Sequence, residues 1–391
     1  MLRPRLAAVL AALTVAACGT GSTPSSHSSP ASAPPATPAT PTPTLKPPSS
    51  LQLGQQSIAQ NLVAPWALAF ASDGSIWVTE RPGRVRVIRG GKLLADPAAT
   101  INVVTANGCE DGLLGLAIQE PYAYVYYTYA GAGGNLNRVS RFSITGDELT
   151  SEQALVDGIP AGPCYHFGGR LKLGPDGWLY FTTGDAFVPA RAADPNGLSG
   201  KVMRVHTDGS GREVFAWGFR NPQGLAFDAG GRLYASVNGP TGDLGLCCHD
   251  EIDLVQQGGF YGWPEFAANT RTSFAQGSLP ATRVAPLAES GATTAWAPSG
   301  MTFYAPAKDE RPTLILAELK GEALRRFLID PADPARVTAQ EVVLQGRGRL
   351  RDAVAGPDGC LYVLTNNRDT RGTPRAGDDQ VLRLCPGGAG L

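Results

Sequence analysis

The sequence predicts an all-β protein, a six-bladed β-propeller with four antiparallel strands in each blade. One β-hairpin pattern recurs six times along the chain, and a further short apolar strand follows most copies. Repeats that each contain several strands are typical of propeller blades. No long segment shows helical periodicity. A tandem of β-sandwiches is the alternative, which the lack of a linker between the repeats disfavours.

The clearest hairpin spans residues 164–186 and reads C-Y-H-F-G-G-R-L-K-L-G-P-D-G-W-L-Y-F-T-T-G-D-A. Apolar residues alternate on both sides of its Pro-Asp-Gly turn, which is typical of two paired strands. The other copies are residues 66–79, 112–127, 223–237, 299–316 and 351–365. The strands predicted to follow the hairpins are residues 84–88, 138–142, 201–205, 251–255 and 380–384.

The N-terminal region predicts export. Arg3 and Arg5 precede a short apolar run, and residues 1–18 end in L-T-V-A-A-C, which resembles a lipoprotein signal peptide with Cys18 as the acylated residue. Residues 19–50 are rich in Ser, Thr and Pro, which predicts a disordered tether. The propeller is expected over residues 51–391. We expect either a membrane-anchored lipoprotein facing outside the cytoplasm or a secreted or periplasmic protein.

The charge balance indicates which partners to expect. The formal net charge is −1 and only 17% of residues are charged, so the sequence predicts no basic surface for nucleic acid. Contact with a membrane is expected only through the lipid anchor. The chain has 48 glycines and 32 prolines, which suits many tight turns between short strands.

The chain has seven cysteines, and six remain if Cys18 carries lipid. An even number in an exported protein predicts disulfides. One pair would join two loops near the expected ligand site, one would fasten the last blade, and one joins adjacent residues. A zinc site that includes His249 is the alternative for the adjacent pair. The candidate pairs are Cys109–Cys164, Cys360–Cys385 and Cys247–Cys248.

Loops that interrupt the repeat are the places to seek function, because propellers bind ligands over their central channel. Five such places stand out, and several carry His, Arg, Lys or Asn side chains. They are residues 107–112, 165–170, 217–223, 238–253, and 319–320 together with 348–352.

These loops carry motifs that resemble the soluble quinoprotein glucose dehydrogenase and sorbosone dehydrogenase family. The motifs include G-C-E-D-G-L-L-G-L-A, H-F-G-G-R-L-K-L-G-P-D-G, G-F-R-N-P-Q-G-L-A-F, D-E-I-D-L-V-Q-Q-G-G-F-Y-G-W-P and R-L-R-D-A-V, in the family's order across residues 51–384. The resemblance implies a six-bladed propeller that binds pyrroloquinoline quinone (PQQ) and calcium. It also implies oxidation of an aldose sugar at C1 to the lactone, with an electron acceptor that the sequence does not identify. The short loops suit a monomer.

The resemblance implies roles for three catalytic residues. His166 matches the family's general base, and histidine is the side chain that most readily exchanges a proton near neutral pH. Arg220 and Asn221 match the pair that contacts the quinone carbonyl, where a guanidinium stabilises developing negative charge.

Further positions match the cofactor and metal sites. Lys320, Arg349 and Arg351 match the family's cations around the tricarboxylate PQQ, and Arg349 and Arg351 would point to one face of a strand. The backbone carbonyls of Gly239 and Pro240 match the calcium ligands, since calcium prefers oxygen donors. Accessory roles are assigned to Asp250, Glu251 and Asp253.

The sequence departs from the family at three positions. Glu110 replaces a cofactor-binding glutamine, so either the pKa of Glu110 is raised or a neighbouring arginine pairs with it. Phe167 and Phe219 stand where more polar residues are usual, and we expect them at the substrate entrance. A non-catalytic propeller that binds carbohydrate or protein remains the alternative function. A metal-dependent hydrolase would need converging acidic ligands, and the sequence shows no such set.

Overall fold

A computed structural model describes residues 45–242, 245–274 and 279–387. In these residues six antiparallel sheets form the blades of a propeller, which confirms the predicted fold class. Apart from one short 3₁₀ helix, Pro189–Ala193, the regular secondary structure in the described ranges is β.

The first strand of the chain belongs to the last blade. This strand, β1 (Leu53–Ala59), pairs antiparallel with the last strand and forms the outer edge of blade six. Blade one contains β2 (Pro65–Phe70), β3 (Ile76–Glu80), β4 (Arg84–Arg89), β5 (Lys92–Leu93) and β6 (Ala99–Thr100), with β5 and β6 both on β4. Blade two contains β7 (Leu113–Gln119), β8 (Tyr122–Gly131), β9 (Gly134–Thr145) and β10 (Glu148–Pro160).

The remaining blades follow the same order from the inner strand outwards. Blade three contains β11 (Leu171–Leu173), β12 (Trp178–Thr183), β13 (Lys201–His206) and β14 (Glu213–Trp217). Blade four contains β15 (Asn221–Phe227), β16 (Leu233–Asn238), β17 (Glu251–Val255) and β20 (Ala288–Glu289), with β18 (Phe266–Ala267) and β19 (Thr270–Arg271) as a separate small hairpin. Blade five contains β21 (Pro298–Tyr304), β22 (Thr313–Glu318), β23 (Ala323–Ile329) and β24 (Val337–Gln345). Blade six contains β25 (Leu350–Ala355), β26 (Leu361–Thr365), β27 (Val381–Pro386) and β1.

The six predicted hairpins are the two inner strands of the six blades. The inner strands contact each other in sequence, β2 with β7, β7 with β11 and onwards to β21 with β25, and contacts of β25 with β2 complete the ring. Sequence analysis missed the outer strands, including β1. The sequence of β1, L-G-Q-Q-S-I-A, has too little apolar alternation to be recognised as a strand.

Strands in the middle of each blade are apolar on both faces because each face packs against a neighbouring blade. In β16, Tyr234 packs with Leu314 and Phe327 on the side of blade five. The next residue, Ala235, packs with Phe219 on the opposite side. Successive side chains of a strand point to opposite faces, so one strand contributes to two core clusters. This packing fixes the blades around the channel and therefore positions the loops above it.

The segment before β1 lies partly within the described residues. Lys46 forms an isolated bridge with Glu310, and the backbone oxygen of Ser49 accepts a hydrogen bond from Arg326 at 2.7 Å. The predicted signal peptide with Cys18, and the tether up to residue 44, lie outside the described residues. In the described ranges we find no helix that is both long enough and apolar enough to cross a membrane.

All three predicted disulfides are present. They join Cys109 to Cys164, Cys247 to Cys248, and Cys360 to Cys385. The zinc alternative for the adjacent pair is wrong, since both thiols are used in the disulfide. Across the described ranges, His, Cys, Asp and Glu side chains form no group of three or more that could hold a metal.

Removing the disulfide of the closing blade is expected to destabilise the protein. The double substitution Cys360→Ala with Cys385→Ala opens a loop whose ends are 25 residues apart, which increases the entropy of the unfolded chain. We expect a loss of about 2–4 kcal/mol in the free energy of unfolding, measured by urea denaturation of the oxidised protein. An unchanged urea midpoint would show that β1 and β27 close the ring without help from this bond.

Candidate active site

A cavity of about 450 Å³ lies where loops that precede the inner strands converge. All five loop regions singled out from the sequence contribute to it. The predicted site residues that line the cavity are Glu110, His166, Arg220, Asn221, Gly239, Lys320 and Arg349. The lining residues that had no assigned role are Tyr165, Phe187, Asn238, Thr241, Ala297 and Arg371.

His166 forms a pair with Asp185, which sequence analysis missed. The Nδ1 atom of His166 lies 2.7 Å from Oδ1 of Asp185, whose side chain is fully buried. The other carboxylate oxygen of Asp185 accepts a hydrogen bond from Trp263 Nε1 at 2.8 Å. Because an ionised carboxylate only accepts hydrogen bonds, Nδ1 of the neutral ring carries the proton and Nε2 keeps a free lone pair.

The backbone around His166 explains this placement. His166 has φ = +64°, which is uncommon for a residue other than glycine and is often found at functional sites. Gly184, at the end of the same hairpin, lies against it, since a Cβ atom there would be 2.1 Å from the backbone oxygen of His166. Only glycine allows this close approach, which brings Asp185 beside the ring. The sequence signal for Asp185 was therefore its place at the end of the hairpin that His166 begins.

Glu110 connects three parts of the site. Its carboxylate accepts hydrogen bonds from the backbone N–H of His166 at 2.9 Å, from Asn221 Nδ2 at 3.3 Å and from Arg371 Nη1 at 3.1 Å. Burial alone would raise the pKa of Glu110, but the charge of His166 when its ring is protonated, the charge of Arg371 and the hydrogen bonds from both residues outweigh burial and lower the pKa below its usual value. Of the two alternatives open at this position, pairing with an arginine is the one observed. The Cys109–Cys164 disulfide holds the two loops together beside this carboxylate.

Arg220 and Asn221 lie side by side at the start of β15. Nη1 of Arg220 donates to the backbone oxygen of Asn238 at 3.1 Å, and its guanidinium lies 5.7 Å from the ring of Trp263. The side-chain oxygen of Asn221 accepts from the N–H of Gly168 at 3.0 Å. Contacts within blade four thus hold Arg220, and a contact with the loop before blade three holds Asn221, while both side chains border the cavity.

The three predicted cofactor cations differ in their surroundings. Lys320 is exposed, and among the described residues its Nζ has no hydrogen-bond partner. Arg349 is buried and donates from Nε and Nη2 to Asp369 Oδ2, at 3.1 and 3.0 Å. Arg351 lies 3.9 Å from the same carboxylate and donates to Gln223 Oε1 at 2.8 Å. Both arginines therefore approach one carboxylate, as expected for one strand face, but only Arg349 borders the cavity.

Gly239, a predicted calcium ligand, lines the cavity, whereas Pro240 is buried behind it. The N–H of Gly239 donates to Asp250 Oδ1 at 2.9 Å, and Asp250 Oδ2 accepts from the N–H groups of Trp296 and Ala297. Burial raises the pKa of Asp250 to about 6, although these hydrogen bonds oppose the shift. Asp250 therefore holds the loop that contains Gly239 in shape through contacts with backbone N–H groups.

Backbone oxygens surround Gly239. A Cβ atom at this position would lie 2.2 Å from the backbone oxygen of Cys248 and 2.3 Å from that of His249. Carbonyl oxygens are ligands that calcium prefers, so this loop has the donor chemistry for calcium. Glu251 and Asp253 are buried in β17 and do not border the cavity, and burial raises the pKa of both.

Two predicted entrance residues are not at the entrance. Phe167 and Phe219 are each only 1% exposed and belong to the packed core, because their side chains turn away from the cavity. The exposed aromatic residues are instead Tyr165 and Phe187, whose ring centroids are 5.7 Å apart. Phe187 also lies 5.2 Å from the ring of His166. These two aromatic side chains form one wall of the cavity mouth beside the histidine.

The fold and the site together define a propeller with a histidine–aspartate pair and several cations around one cavity, an arrangement that combines a group able to exchange a proton with groups able to bind an anion. The comparisons with known proteins agree. The glucose/sorbosone dehydrogenase family model matches residues 62–373, and the chain belongs to this family.

Known relatives cover most of the chain. Quinoprotein glucose dehydrogenase B of Acinetobacter calcoaceticus is 28% identical over 83% of this chain and 87% of its own length. A Thermus thermophilus structure described as a candidate glucose dehydrogenase is 39% identical, covers 85% of this chain and 100% of its own, and has a TM-score of 0.75. The PQQ-bound aldose sugar dehydrogenase of Streptomyces coelicolor is 30% identical, covers 87% of this chain and 99% of its own, and has a TM-score of 0.70.

Proposed function

We propose that this protein oxidises an aldose sugar at C1 to the lactone, using PQQ and calcium. The observation that carries the proposal is the pair of His166 and Asp185 at one wall of a cavity that Lys320 and Arg349 border elsewhere. A base is needed to take the hydroxyl proton, and fixed cations are needed to hold a tricarboxylate. Membership of the glucose/sorbosone dehydrogenase family supports the same chemistry.

The residues present fit PQQ. Lys320 supplies an ammonium group without a partner among the described residues, and Arg349, Arg371 and Arg220 supply guanidinium groups around the same cavity. Gly239 and its neighbouring carbonyls would hold calcium. When bound, PQQ supplies the two-electron acceptor for the hydride that leaves C1 of the sugar.

His166 acts as the base in this proposal. Its Nε2 takes the proton of the C1 hydroxyl, and Asp185 stabilises the imidazolium that forms through the hydrogen bond to Nδ1. Glu110 contributes a second negative charge close to His166. Arg220 and Asn221 would stabilise negative charge that develops opposite the histidine.

Tyr165 and Phe187 would position the sugar. Both rings are exposed at the mouth, and Phe187 lies against His166. The C–H faces of a pyranose ring pack well on aromatic side chains, since they are apolar surfaces bordered by hydroxyl groups. The wall would thus bring C1 close to the base without selecting one particular aldose.

The proposal is tested by adding PQQ and calcium to the protein and recording the quinone absorbance while aldoses are titrated. Loss of the oxidised band on addition of a sugar, with formation of the corresponding lactone, is the expected result. Absence of PQQ binding would contradict the proposal and favour a propeller that only binds carbohydrate or protein. PQQ binding without reduction by any aldose would contradict the assigned reaction while leaving the cofactor in place.

Replacing Lys320 by alanine is expected to weaken PQQ binding by at least about tenfold, because one charge-assisted hydrogen bond to a cofactor carboxylate is lost. The side chain is exposed and supports no other described residue, so the fold should be unaffected. Fluorescence titration of PQQ measures the affinity, with the exposed Lys92→Ala as the control. Equal affinities for the two variants would remove Lys320 from the cofactor site.

We also propose that the protein is exported and transfers its electrons to an acceptor outside the cytoplasm. Its three disulfides support this location, since such bonds persist in oxidising compartments. Labelling with radioactive palmitate tests the lipid anchor at Cys18. An unlabelled protein released into the medium would favour plain secretion.

A further inference from the structure

A second cavity, of about 260 Å³, occupies the central channel. All six inner strands contribute to its wall, with residues from the later part of most of these strands, such as 68–70 of β2 and 116–118 of β7. The active-site residues precede the inner strands, lie at their first positions, or lie at or after the ends of the adjacent second strands, which is the same end of each antiparallel hairpin. The second cavity therefore lies further along the channel than the proposed PQQ site.

Three ionisable side chains line this cavity, and their hydrogen-bonding capacity is unbalanced. Both oxygens of Asp352 have partners: Oδ2 accepts from Arg170 Nη1 at 2.9 Å and from the N–H of Leu68 at 3.0 Å, and Oδ1 accepts from the N–H of Ala353 at 3.1 Å. Arg170 donates from Nε to the backbone oxygen of Gln223 at 2.8 Å. Both oxygens of the only carboxylate among the described residues of the cavity lining therefore already have partners.

In contrast, two hydrogen-bond donors in the wall of this cavity have no acceptor in the part of the chain that the structure describes. The Nη2 atom of Arg170 is buried and has no hydrogen-bond partner among the described residues, and the Arg170 side chain is only 7% exposed. Lys172 is half-buried in the same wall, and within the described ranges its ammonium group also has no partner. Burial lowers the pKa of Lys172, which the charge of Asp352 opposes. Unpaired donors inside a protein are costly, so a group that accepts from both would be stabilised here.

The net charge of the cavity lining is suited to a ligand with one negative charge. Arg170 and Lys172 carry two positive charges and Asp352 carries one negative charge, so the lining has a net charge of +1. A monoanion would neutralise it, whereas a dianion would leave an uncompensated charge at a buried site. The rest of the wall is formed by Leu, Ala, Ile, Val, Phe and Met side chains, which suit an apolar group.

We propose that the central channel contains a binding site for a short aliphatic carboxylate, which is held by Arg170 Nη2 and Lys172 Nζ with its hydrocarbon part against the apolar wall. The volume of the cavity suits a ligand of only a few carbon atoms. This site is independent of the proposed dehydrogenase activity.

The structure separates this site from the proposed cofactor site. Within the described ranges the two cavities share no lining residue. The ring of Trp66 lies 4.3 Å from the guanidinium carbon of Arg170 and 5.7 Å from that of Arg351. Gln223 connects the same two arginines, since its backbone oxygen accepts from Arg170 and its side-chain oxygen accepts from Arg351. A carboxylate in the channel would therefore not compete with PQQ.

Isothermal titration calorimetry of the full chain with sodium butyrate tests the proposal. We expect one butyrate per chain, no binding of the uncharged butyramide, and weaker binding of inorganic phosphate. Lys172→Gln should weaken butyrate binding by at least about tenfold, because a charge-assisted hydrogen bond is lost. The control variant Lys92→Gln changes an exposed lysine on β5 and should bind butyrate like the wild type.

A second titration with PQQ-loaded protein separates this site from the cofactor site. Butyrate should bind with the same affinity in the presence and absence of PQQ, and Lys320→Gln should not change it. Competition between butyrate and PQQ would place the carboxylate in the cavity of the proposed PQQ site and overturn the proposal. Absence of butyrate binding to the wild type, or equal affinity in a folded Lys172→Gln variant, would overturn it as well.

Discussion

Replacing His166 by alanine is expected to lower kcat by roughly 10²–10⁴-fold, the usual contribution of a general base. No other ring nitrogen borders the cavity within the described residues, so water or the weakly basic carboxylate of Glu110 would have to take the hydroxyl proton. PQQ affinity should remain within about a factor of two or three, because Lys320 and Arg349 are unchanged. Stopped-flow reduction of bound PQQ by glucose measures the chemical step directly, and fluorescence titration measures the affinity.

The matched control is His206→Ala. His206 is an exposed histidine at the end of β13, where it packs on Trp178, and it lies outside the cavity. This variant should retain wild-type kcat, which separates the loss of one particular histidine from a general effect of the substitution. Wild-type turnover by a folded, PQQ-loaded His166→Ala variant would exclude His166 as the base.

The repeated hairpin pattern was clear enough to predict the six blades, but it did not predict that the first strand of the chain completes the last blade. Six hairpins share one pattern because every inner strand packs between two neighbouring blades and so must be apolar. The closing strand β1 lies at the outer edge of blade six, where only one of its seven residues is buried and polar residues are tolerated. Its pairing with β27 depends on contacts between the two ends of the chain, which no local pattern records.

Sequence analysis placed site residues correctly where they lie in a recognisable motif near the start of an inner strand. His166, Arg220 and Asn221 border one cavity as expected, because each lies in the loop before an inner strand or begins that strand. Arg371 was missed, since it lies in a long loop of blade six without a recognisable motif and meets Glu110 only through the closed ring. Phe167 was misplaced because the left-handed backbone at His166 turns the next side chain into the core.

Replacing Asp185 by asparagine is the second change with a large expected effect. All three partners of this carboxylate donate hydrogen bonds: His166 Nδ1, the N–H of Phe187 and Trp263 Nε1. An amide must therefore point its NH₂ group at one of these donors. If it faces His166, the ring is forced into the tautomer with the proton on Nε2, which cannot accept the substrate proton. If it faces Trp263, a buried indole N–H loses its acceptor.

We expect kcat of Asp185→Asn to fall by roughly 10²-fold or more, while KM and the affinity for PQQ change little, because Asp185 acts through His166 and contacts neither sugar nor cofactor. Asp176→Asn, a similar change at the exposed turn of the same hairpin, is the control and should keep its kcat.

A double variant distinguishes positioning of His166 from a general structural role. If Asp185 serves the reaction only by orienting His166 and stabilising its charged form, adding Asp185→Asn to His166→Ala should cause no further loss of kcat. If Asp185 mainly supports the fold of the loop, the two losses should multiply and the double variant should also unfold at a lower temperature. Non-additive losses at an unchanged melting temperature would therefore identify Asp185 as the residue that holds the base in its accepting state.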